Sequence, residues 1–330
     1  MSVPVLTFFN NKGGVGKTSL IYHVAWMLSD MGLSVLTADL DPQGNLSAAF
    51  LDDEELEKLW PENGSSRTIF GAIEPLRRGV GDIKTPETQK ISDTLFLVPG
   101  DMALSGFEDD LSQVWPECLD SKERAFRVIS AFWRVIQEAA ERQKAKIVLV
   151  DIGPNLGAIN RAALISSSHV VVPLAPDLFS LQGLRNLGPT LRKWRKEWGE
   201  RLKKNPDPQL QLPQGEMSPI GYIVMQHSIR QDRPAKSYEK WIHRMPGAYR
   251  KYVLEEIEGD YTVSEDPHCF GLLKHYRSLM AMAQEARKPM FLLKPADGAI
   301  GSHALAAQDA REDFKNMANK IVNKMGISIS

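Results

Sequence analysis

A glycine-rich loop between an apolar strand and a helix constrains the fold of this chain more than any other feature of its sequence. Residues 3–9 predict a buried strand, residues 18–31 predict a helix that ends at Gly32, and the loop between them holds three glycines and two lysines. Glycines let consecutive backbone N–H groups turn toward a phosphate, and the helix N-terminus adds the positive end of its dipole. The sequence therefore predicts a phosphate-binding loop that follows a strand and opens a helix.

The side chains of this loop suit a nucleotide that carries Mg²⁺. Lys17 can reach the β- and γ-phosphates, and the Thr18 hydroxyl can ligate Mg²⁺. The residues predicted to contact the nucleotide form one continuous run: Lys12, Gly13, Gly14, Val15, Gly16, Lys17, Thr18 and Ser19.

Alternation of short strands with helical patterns predicts the fold class. Further strands are predicted at residues 34–40, 95–99, 147–152, 170–174 and 220–225, and further helices at residues 121–143, 181–202 and 303–325. This order favours an α/β fold, with a doubly wound, mostly parallel sheet flanked by helices, as in P-loop NTPases. We expect one domain over residues 1–330, in which residues 1–190 form the nucleotide-binding core and residues 191–330 an extended basic part.

Three carboxylates follow predicted strands. Asp39 and Asp41 end the second strand and point the same way, because side chains alternate with period 2. Asp151 ends an apolar strand, which is the pattern of an aspartate that holds Mg²⁺ through water in P-loop proteins. Because carboxyl ends of parallel strands face the ligand crevice, these residues are expected beside the phosphate loop.

The motifs Lys-Gly-Gly-Val-Gly-Lys-Thr at 12–18 and Asp-Leu-Asp-Pro-Gln-Gly-Asn at 39–45 resemble those of the ParA/MinD ATPases, in the ParA partition branch. The resemblance extends from residue 3 to about residue 190. It implies a slow, partner-stimulated ATPase that uses ATP and Mg²⁺ and forms a homodimer when ATP is bound. It assigns Lys12 to the nucleotide of the partner subunit, Asp41 to orienting the attacking water, and Asp39 to the outer shell of Mg²⁺, which Thr18 and Asp151 hold.

The chain departs from the family pattern after Asp151. The usual Asp-x-Pro-Pro reads Asp151-Ile152-Gly153-Pro154 here. Glycine loosens a segment that should sense the γ-phosphate, so we expect an effect on the rate or coupling of switching more than on nucleotide binding.

A net charge of −1 conceals basic segments in the last part of the chain. Residues 192–204 and 226–253 each hold seven bases against two acids, which is typical of polyanion binding or of solvated helix faces. The resemblance implies binding of the ATP-bound dimer to DNA without sequence preference. The candidate DNA-binding residues are Arg192, Lys193, Arg195, Lys196, Arg230, Arg233, Lys236, Arg250 and Lys251.

Two alternatives to this function stay open at the level of sequence. The chain could be a nucleotide-gated protein-interaction module without DNA binding, or a MinD-like ATPase that positions at a membrane through the helix at residues 303–325. We expect a ParB-like or other activating partner, and we do not expect membrane binding. Two cysteines in unrelated contexts and the lack of an apolar run of 18 residues predict a cytoplasmic protein. The resemblance implies that it is nucleoid-associated.

Overall fold

A mostly parallel sheet organises the chain, as seen in a computed structural model. The structure describes residues 2–61, 66–225, 235–257, 259, 261–276 and 278–329, and for residues 235–238 it describes the backbone alone. The strands are β1 (Val5–Phe8), β2 (Val35–Asp39), β3 (Gln89–Lys90), β4 (Leu95–Val98), β5 (Ile147–Asp151), β6 (His169–Leu174), β7 (Ser218–Met225) and β8 (Cys269–Leu273).

The strand order places the loop after β1 at the middle of the sheet. The order is β3-β4-β2-β5-β1-β6-β7-β8, and each pair is parallel except β3 with β4. In the β2–β5 pair, Asp39 is directly opposite Asp151. The carboxyl ends of neighbouring strands thus bring the predicted acidic residues to one edge.

Helices cover both faces of the sheet. They are α1 (Lys17–Asp30), α2 (Asn45–Phe50), α3 (Asp53–Leu59), α4 (Ile69–Arg77), α5 (Phe107–Glu117), α6 (Glu123–Ile129), α7 (Ala131–Arg142), α8 (Ala158–Ile165), α9 (Leu178–Leu202), α10 (Ala235–Tyr249), α11 (Ser278–Ala286) and α12 (Ser302–Lys324). One apolar core joins the sheet to α4–α10, and a second joins it to α1, α2, α11 and α12. The α/β, doubly wound fold class predicted from the sequence is confirmed.

The single helix predicted at residues 121–143 is wrong in one respect. The structure divides it into α6 and α7 at Ser130, whose Oγ donates to the carbonyl oxygen of Phe126 at 2.7 Å. A serine hydroxyl bonded to the preceding turn competes with the backbone ladder and bends a helix. Ser121 has a positive φ of 57°, so the first helix starts at residue 123.

The last third of the chain continues the same sheet. β7 and β8 extend it beyond β6, which is the arrangement expected if residues 191–330 belong to the domain that residues 1–190 begin. The apolar face of α12 is covered, since Phe314, Met317 and Ile321 are buried in the core that also contains α1. Within the described residues, no helix has the length and apolar character needed to cross a bilayer.

Two glycines of α9 offer a matched test of its packing. A Cβ on Gly188 would lie 1.9 Å from the carbonyl oxygen of Tyr252, whereas a Cβ on Gly199 would meet nothing within 4 Å. We expect Gly188→Ala to lower the free energy of unfolding by about 1–3 kcal/mol, because the helix must move away from residue 252. Gly199→Ala should raise it by about 0.5–1 kcal/mol through helix propensity. Urea titrations measure both, and equal effects would contradict this packing.

Candidate functional site

The loop between β1 and α1 has the backbone conformation that its glycines predict. Gly14 and Gly16 are left-handed, with φ of 71° and 85°. Gly16 is the N-cap of α1 and brings no side chain to the first N–H groups of the helix, which leaves them directed at an anion. Asn10 fixes the start of the loop: its Nδ2 donates to the carbonyl oxygen of Pro173 at 2.6 Å, and its Oδ1 accepts from the backbone of Lys12 at 3.0 Å.

Lys17 is buried beneath this loop among carboxylates. Only 8% of the residue is exposed. Burial lowers the pKa of its ammonium, and the charges of Asp151 and Asp41 oppose that shift. The structure therefore brings together three of the residues that the sequence predicts for phosphate chemistry.

Asp39 is a fully buried carboxylate that is satisfied by its own chain. Its Oδ2 accepts from both the backbone N–H and the hydroxyl of Ser47 at 2.8 Å, and its Oδ1 accepts from the backbone of Asp41 at 3.3 Å. Burial and the charge of Asp41 raise the pKa of Asp39 to about 6, against the effect of the Ser47 hydrogen bonds. These contacts fix the orientation of the Asp39 carboxylate within the protein.

Asp151 is also fully buried, but it lacks hydrogen bonds like those that Asp39 accepts from Ser47. Burial and the neighbouring charge of Asp39 raise the pKa of Asp151 to about 8, although the Thr18 hydroxyl and the Lys17 ammonium favour its charged form. Among the described residues, neither of its carboxylate oxygens has a hydrogen-bond partner of good geometry. Burying an ionised carboxylate without hydrogen-bond partners costs free energy, and a bound cation would offset this cost. Asp151 is therefore a candidate ligand of a cation.

The donor set at this edge fits Mg²⁺. No group of three His, Cys, Asp or Glu side chains among the described residues forms a complete metal site. Mg²⁺ needs none, because it keeps several waters and uses one or two carboxylates together with substrate phosphates. The orphaned oxygens of Asp151 and the nearby hydroxyl of Thr18 are oxygen donors of the required kind.

Asp41 lies at the mouth of the site and is closely covered by Gly153. It is 8% exposed, and its Oδ1 accepts from the backbone of Gln43 at 3.0 Å. A Cβ on Gly153 would lie 3.4 Å from the same oxygen. That distance is an ordinary van der Waals contact, so the backbone after β5 lies beside Asp41 at a position that would also admit a Cβ.

Lys12 is engaged within its own chain. Its ammonium forms an ion pair with Asp177, the N-cap of α9, and lies 5.9 Å from the centre of the Phe179 ring. Both partners of the ion pair stay partly exposed, at 29% and 23% of their side-chain surface. Lys12 is thus held beside the loop, away from the carboxylates that surround Lys17.

A cavity of about 710 Å³ extends from the phosphate loop to a wall that the sequence did not predict. α11 and the residues after it provide this wall through Met280, Ala283, Gln284, Arg287 and Lys288. The lining of the cavity also includes Tyr22 of α1 and Ala48 of α2. Sequence reasoning missed these residues because α11 carries no motif and meets α1 only through long-range packing.

His23 joins the loop helix to the C-terminal part of the chain. Its Nε2 accepts from the backbone of Met290 at 3.2 Å, so its Nδ1 carries the proton and donates to the carbonyl oxygen of Ser19 at 2.7 Å. Complete burial lowers the pKa of His23 to about 4, against the effect of the Ser19 hydrogen bond. His23 is therefore neutral in the folded protein at ordinary pH.

The candidate DNA-binding residues fall into different environments. Arg192 donates to the carbonyl oxygens of Tyr252 and Val253 and pairs with Glu255, and Arg195 donates to those of Glu216 and Met217. Lys193 and Lys196 are exposed on the same helix.

The remaining candidates lie farther along the chain. Arg250 is buried at 7% exposure and pairs with Asp266 and Glu256, so in this structure its charge is not available to a phosphate, in contrast to the expectation from sequence. Lys251 is exposed near the ring of Tyr252. Arg230, Arg233 and the side chain of Lys236 lie outside the described residues.

Comparison with known proteins gives one family match and partial relatives. A family model described as an AAA domain matches residues 3–204. The chain is 28% identical over 203 residues to the chromosome partitioning protein ParA of Caulobacter vibrioides, covering 60% of this chain and 66% of that protein. The chain spans only about half the length of several curated relatives that it matches, 42% of a putative replication protein A of Rhizobium rhizogenes and 50% of the cell division protein PomZ of Myxococcus xanthus.

Solved structures share the fold over nearly the whole chain. A protein from Corynebacterium diphtheriae superposes with a TM-score of 0.72 at 21% identity, covering 98% of this chain and 99% of that one. A putative plasmid partition protein from Borrelia burgdorferi, bound to AMPPNP, superposes with a TM-score of 0.61 at 19% identity, covering 98% and 99%. At these identities the likeness establishes the fold.

The neutral state of His23 predicts a pH effect on stability. In the unfolded chain His23 binds a proton below its ordinary pKa of 6.5, whereas in the folded chain it does so only near pH 4. The free energy of unfolding therefore decreases as the pH falls from about 6.5 to about 4. We expect the loss between pH 7 and pH 5 to be about 2 kcal/mol smaller in His23→Gln than in the unmodified protein. Urea titrations at the two pH values measure it. His243→Gln, at an exposed position of α10, is the control, and equal losses in all three proteins would contradict the prediction.

Proposed function

The chain belongs to the ParA/MinD family of P-loop ATPases, and we propose that it is an ATP-dependent dimerisation switch that binds DNA without sequence preference and partitions or positions a cargo. The observation that carries this proposal is Lys17, buried under the glycine loop beside Asp41 and Asp151. We infer that its ligands are ATP and Mg²⁺, and the AMPPNP of the Borrelia burgdorferi structure supports this choice.

The proposed hydrolysis uses charges that the fold already holds in place. When bound, Mg²⁺ neutralises charge that develops on the β- and γ-phosphates. Thr18 and Asp151 would hold it, with Asp39 acting from the outer shell. The Lys17 ammonium would bind the phosphate oxygens, and the loop N–H groups would share that role.

Asp41 is the proposed group that orients the attacking water. Its Oδ1 is fixed by the backbone of Gln43, and the residue lines the cavity near the loop. A carboxylate in this position can accept a hydrogen bond from a water and align it with the phosphorus and the leaving oxygen. We infer slow hydrolysis that a ParB-like or other partner stimulates.

Pairing with a second copy would require Lys12 to change its partner. Lys12 must leave Asp177 to reach a nucleotide held by another subunit. The Phe179 ring beside it is 70% exposed, and Leu156 and Leu178 are also exposed, at 39% and 47%. Exposed apolar side chains are typical of interaction surfaces, which supports the idea that another surface covers them in the ATP-bound state.

The proposed DNA contacts are the exposed lysines of α9. Lys193 and Lys196 are exposed on this helix, and Lys203, its C-cap, is exposed as well. Contacts to phosphates need positive charge and carry no sequence information. We infer a nucleoid-associated protein whose cargo is a plasmid, a chromosome or a protein assembly, in line with the partition function named for the Caulobacter vibrioides relative.

Binding to random-sequence duplex DNA tests this proposal. We expect binding with ATP and none with ADP, and we expect Lys12→Ala to abolish the ATP-dependent binding because the dimer does not form. Affinity should fall steeply between two salt concentrations, with a log–log slope of about −0.9 for each phosphate contact. Fluorescence anisotropy of a labelled duplex measures the binding with ATP, with ADP and with ATP on the Lys12→Ala variant, at each of the two salt concentrations.

Surface variants give the controls for that experiment. Lys193→Ala with Lys196→Ala should reduce the salt slope by about 1.8, since two phosphate contacts are removed. Lys58→Ala, at an exposed position of the acidic helix α3, should leave it unchanged. If no nucleotide state binds DNA, the DNA proposal is wrong and the protein-interaction module takes its place.

The wall formed by α11 predicts where the base of the nucleotide lies. Gln284 and Glu285 are both exposed, but only Gln284 lines the cavity. We expect the tryptophan introduced by Gln284→Trp to change its fluorescence saturably when ATP is added, because the base would lie within contact distance. Glu285→Trp should give only the response of the native tryptophans. Identical titrations for the two variants would place the base elsewhere.

A further inference from the structure

The segment from Gly153 to Gly157 connects β5 to α8 and forms part of the cavity wall. Pro154 lines the cavity, and a Cβ on Gly13 would lie 3.7 Å from its Cγ, so Pro154 lies beside the phosphate loop. Gly153 lies over Asp41, as described above. The position of this short segment therefore sets what surrounds both the phosphates and the group proposed to orient water.

One buried side chain of α8 holds the backbone of this segment. Asn160 is 1% exposed, and its Nδ2 donates to the carbonyl oxygens of Gly153 and Asn155, each at 2.7 Å. These carbonyls lie on either side of Pro154. The side chain of Asn155 adds a local turn, since its Oδ1 accepts from the backbone of Gly157 at 2.9 Å.

A carboxylate from another helix anchors the end of the segment. Glu108 of α5 accepts from the backbone of Ala158 at 2.5 Å and from that of Ile159 at 2.8 Å, one bond to each oxygen. Gly157, the N-cap of α8, provides no side chain for this purpose. A Cβ on Gly157 would lie 2.5 Å from Oε1 of Glu108, so the glycine is what admits the carboxylate. A charged cap at a helix N-terminus is stronger than a neutral one.

We propose that Asn160 and Glu108 are positioning residues, which hold the 153–157 segment where Gly153 and Pro154 enclose Asp41 and the phosphate loop. Neither residue lines the cavity. Each acts on the site through backbone atoms of the segment: Asn160 through its two carbonyls, and Glu108 through the start of α8. This inference rests on the proposed function for its effect on hydrolysis, while the restraint on the segment can be measured without any nucleotide.

Asn160→Asp is the sharpest variant, because it keeps the size of the side chain and removes both N–H donors. We expect amide hydrogen exchange in peptides covering residues 151–160 to rise about tenfold in the nucleotide-free protein, since two hydrogen bonds that close the segment are lost. The kcat for ATP hydrolysis should fall about tenfold while KM changes less than about threefold, because the loop that binds the phosphates is untouched.

Two further variants keep the test decisive. Glu108→Gln removes the charged cap at a partly exposed position and should raise exchange at residues 157–160 even if Asn160→Asp does not fold. Asn205→Asp removes a comparable amide-to-carbonyl bond, to Asp207 at 2.7 Å, far along the chain after α9, and should leave exchange at residues 151–160 and kcat unchanged.

The outcomes separate this inference from the proposed function. If Asn160→Asp and Glu108→Gln exchange like the unmodified protein, or if kcat and KM change as they do in Asn205→Asp, the positioning role is wrong. If the unmodified protein hydrolyses no ATP, the proposed function fails, and the exchange comparison alone then supports or overturns the restraint.

Discussion

Burial of three carboxylates beside one lysine is the constraint on which the rest of the site depends. Asp39 meets it with hydrogen bonds from Ser47, and Asp41 keeps one edge toward the cavity. Asp151 has neither such hydrogen bonds nor a place in the cavity lining, and its raised pKa reflects the free-energy cost of its charge in the folded chain. A bound cation removes this cost. The free energy of burying this charge lowers the stability of the empty protein, and its relief on binding would contribute to the affinity for the ligand.

Close approach of the backbone to Asp39 explains one of the glycines around these carboxylates. A Cβ on Gly100 would lie 2.8 Å from Cγ of Asp39, which no real side chain permits. The contact at Gly153 is less severe, at 3.4 Å from Asp41. A Cβ at that distance makes an ordinary van der Waals contact, so Asp41 does not explain why glycine stands in place of the usual proline. The rigidity that a proline would supply comes instead from the side chain of Asn160.

The sequence predicted those parts of the molecule whose structure depends on neighbouring residues in the chain. The loop, α1 and the carboxylates at the ends of β2 and β5 follow from glycine content and strand period, and the structure places them as expected. Long-range contacts were not predictable: α11 meets Ser19 across 261 residues, and Arg250 lies in a basic run yet pairs with the buried Asp266. The break at Ser130 depends on a single hydroxyl bond that periodicity does not reveal.

Helix α9 connects the two halves of the proposed switch. Its N-cap, Asp177, pairs with Lys12 at the phosphate loop, and Lys193 and Lys196 lie about four turns farther along the same helix. At its middle, Gly188 packs directly against the backbone of Tyr252, so the helix has little freedom to slide there. Dimerisation as proposed would break the Lys12–Asp177 pair, and Asp177 caps the same helix that carries the exposed lysines.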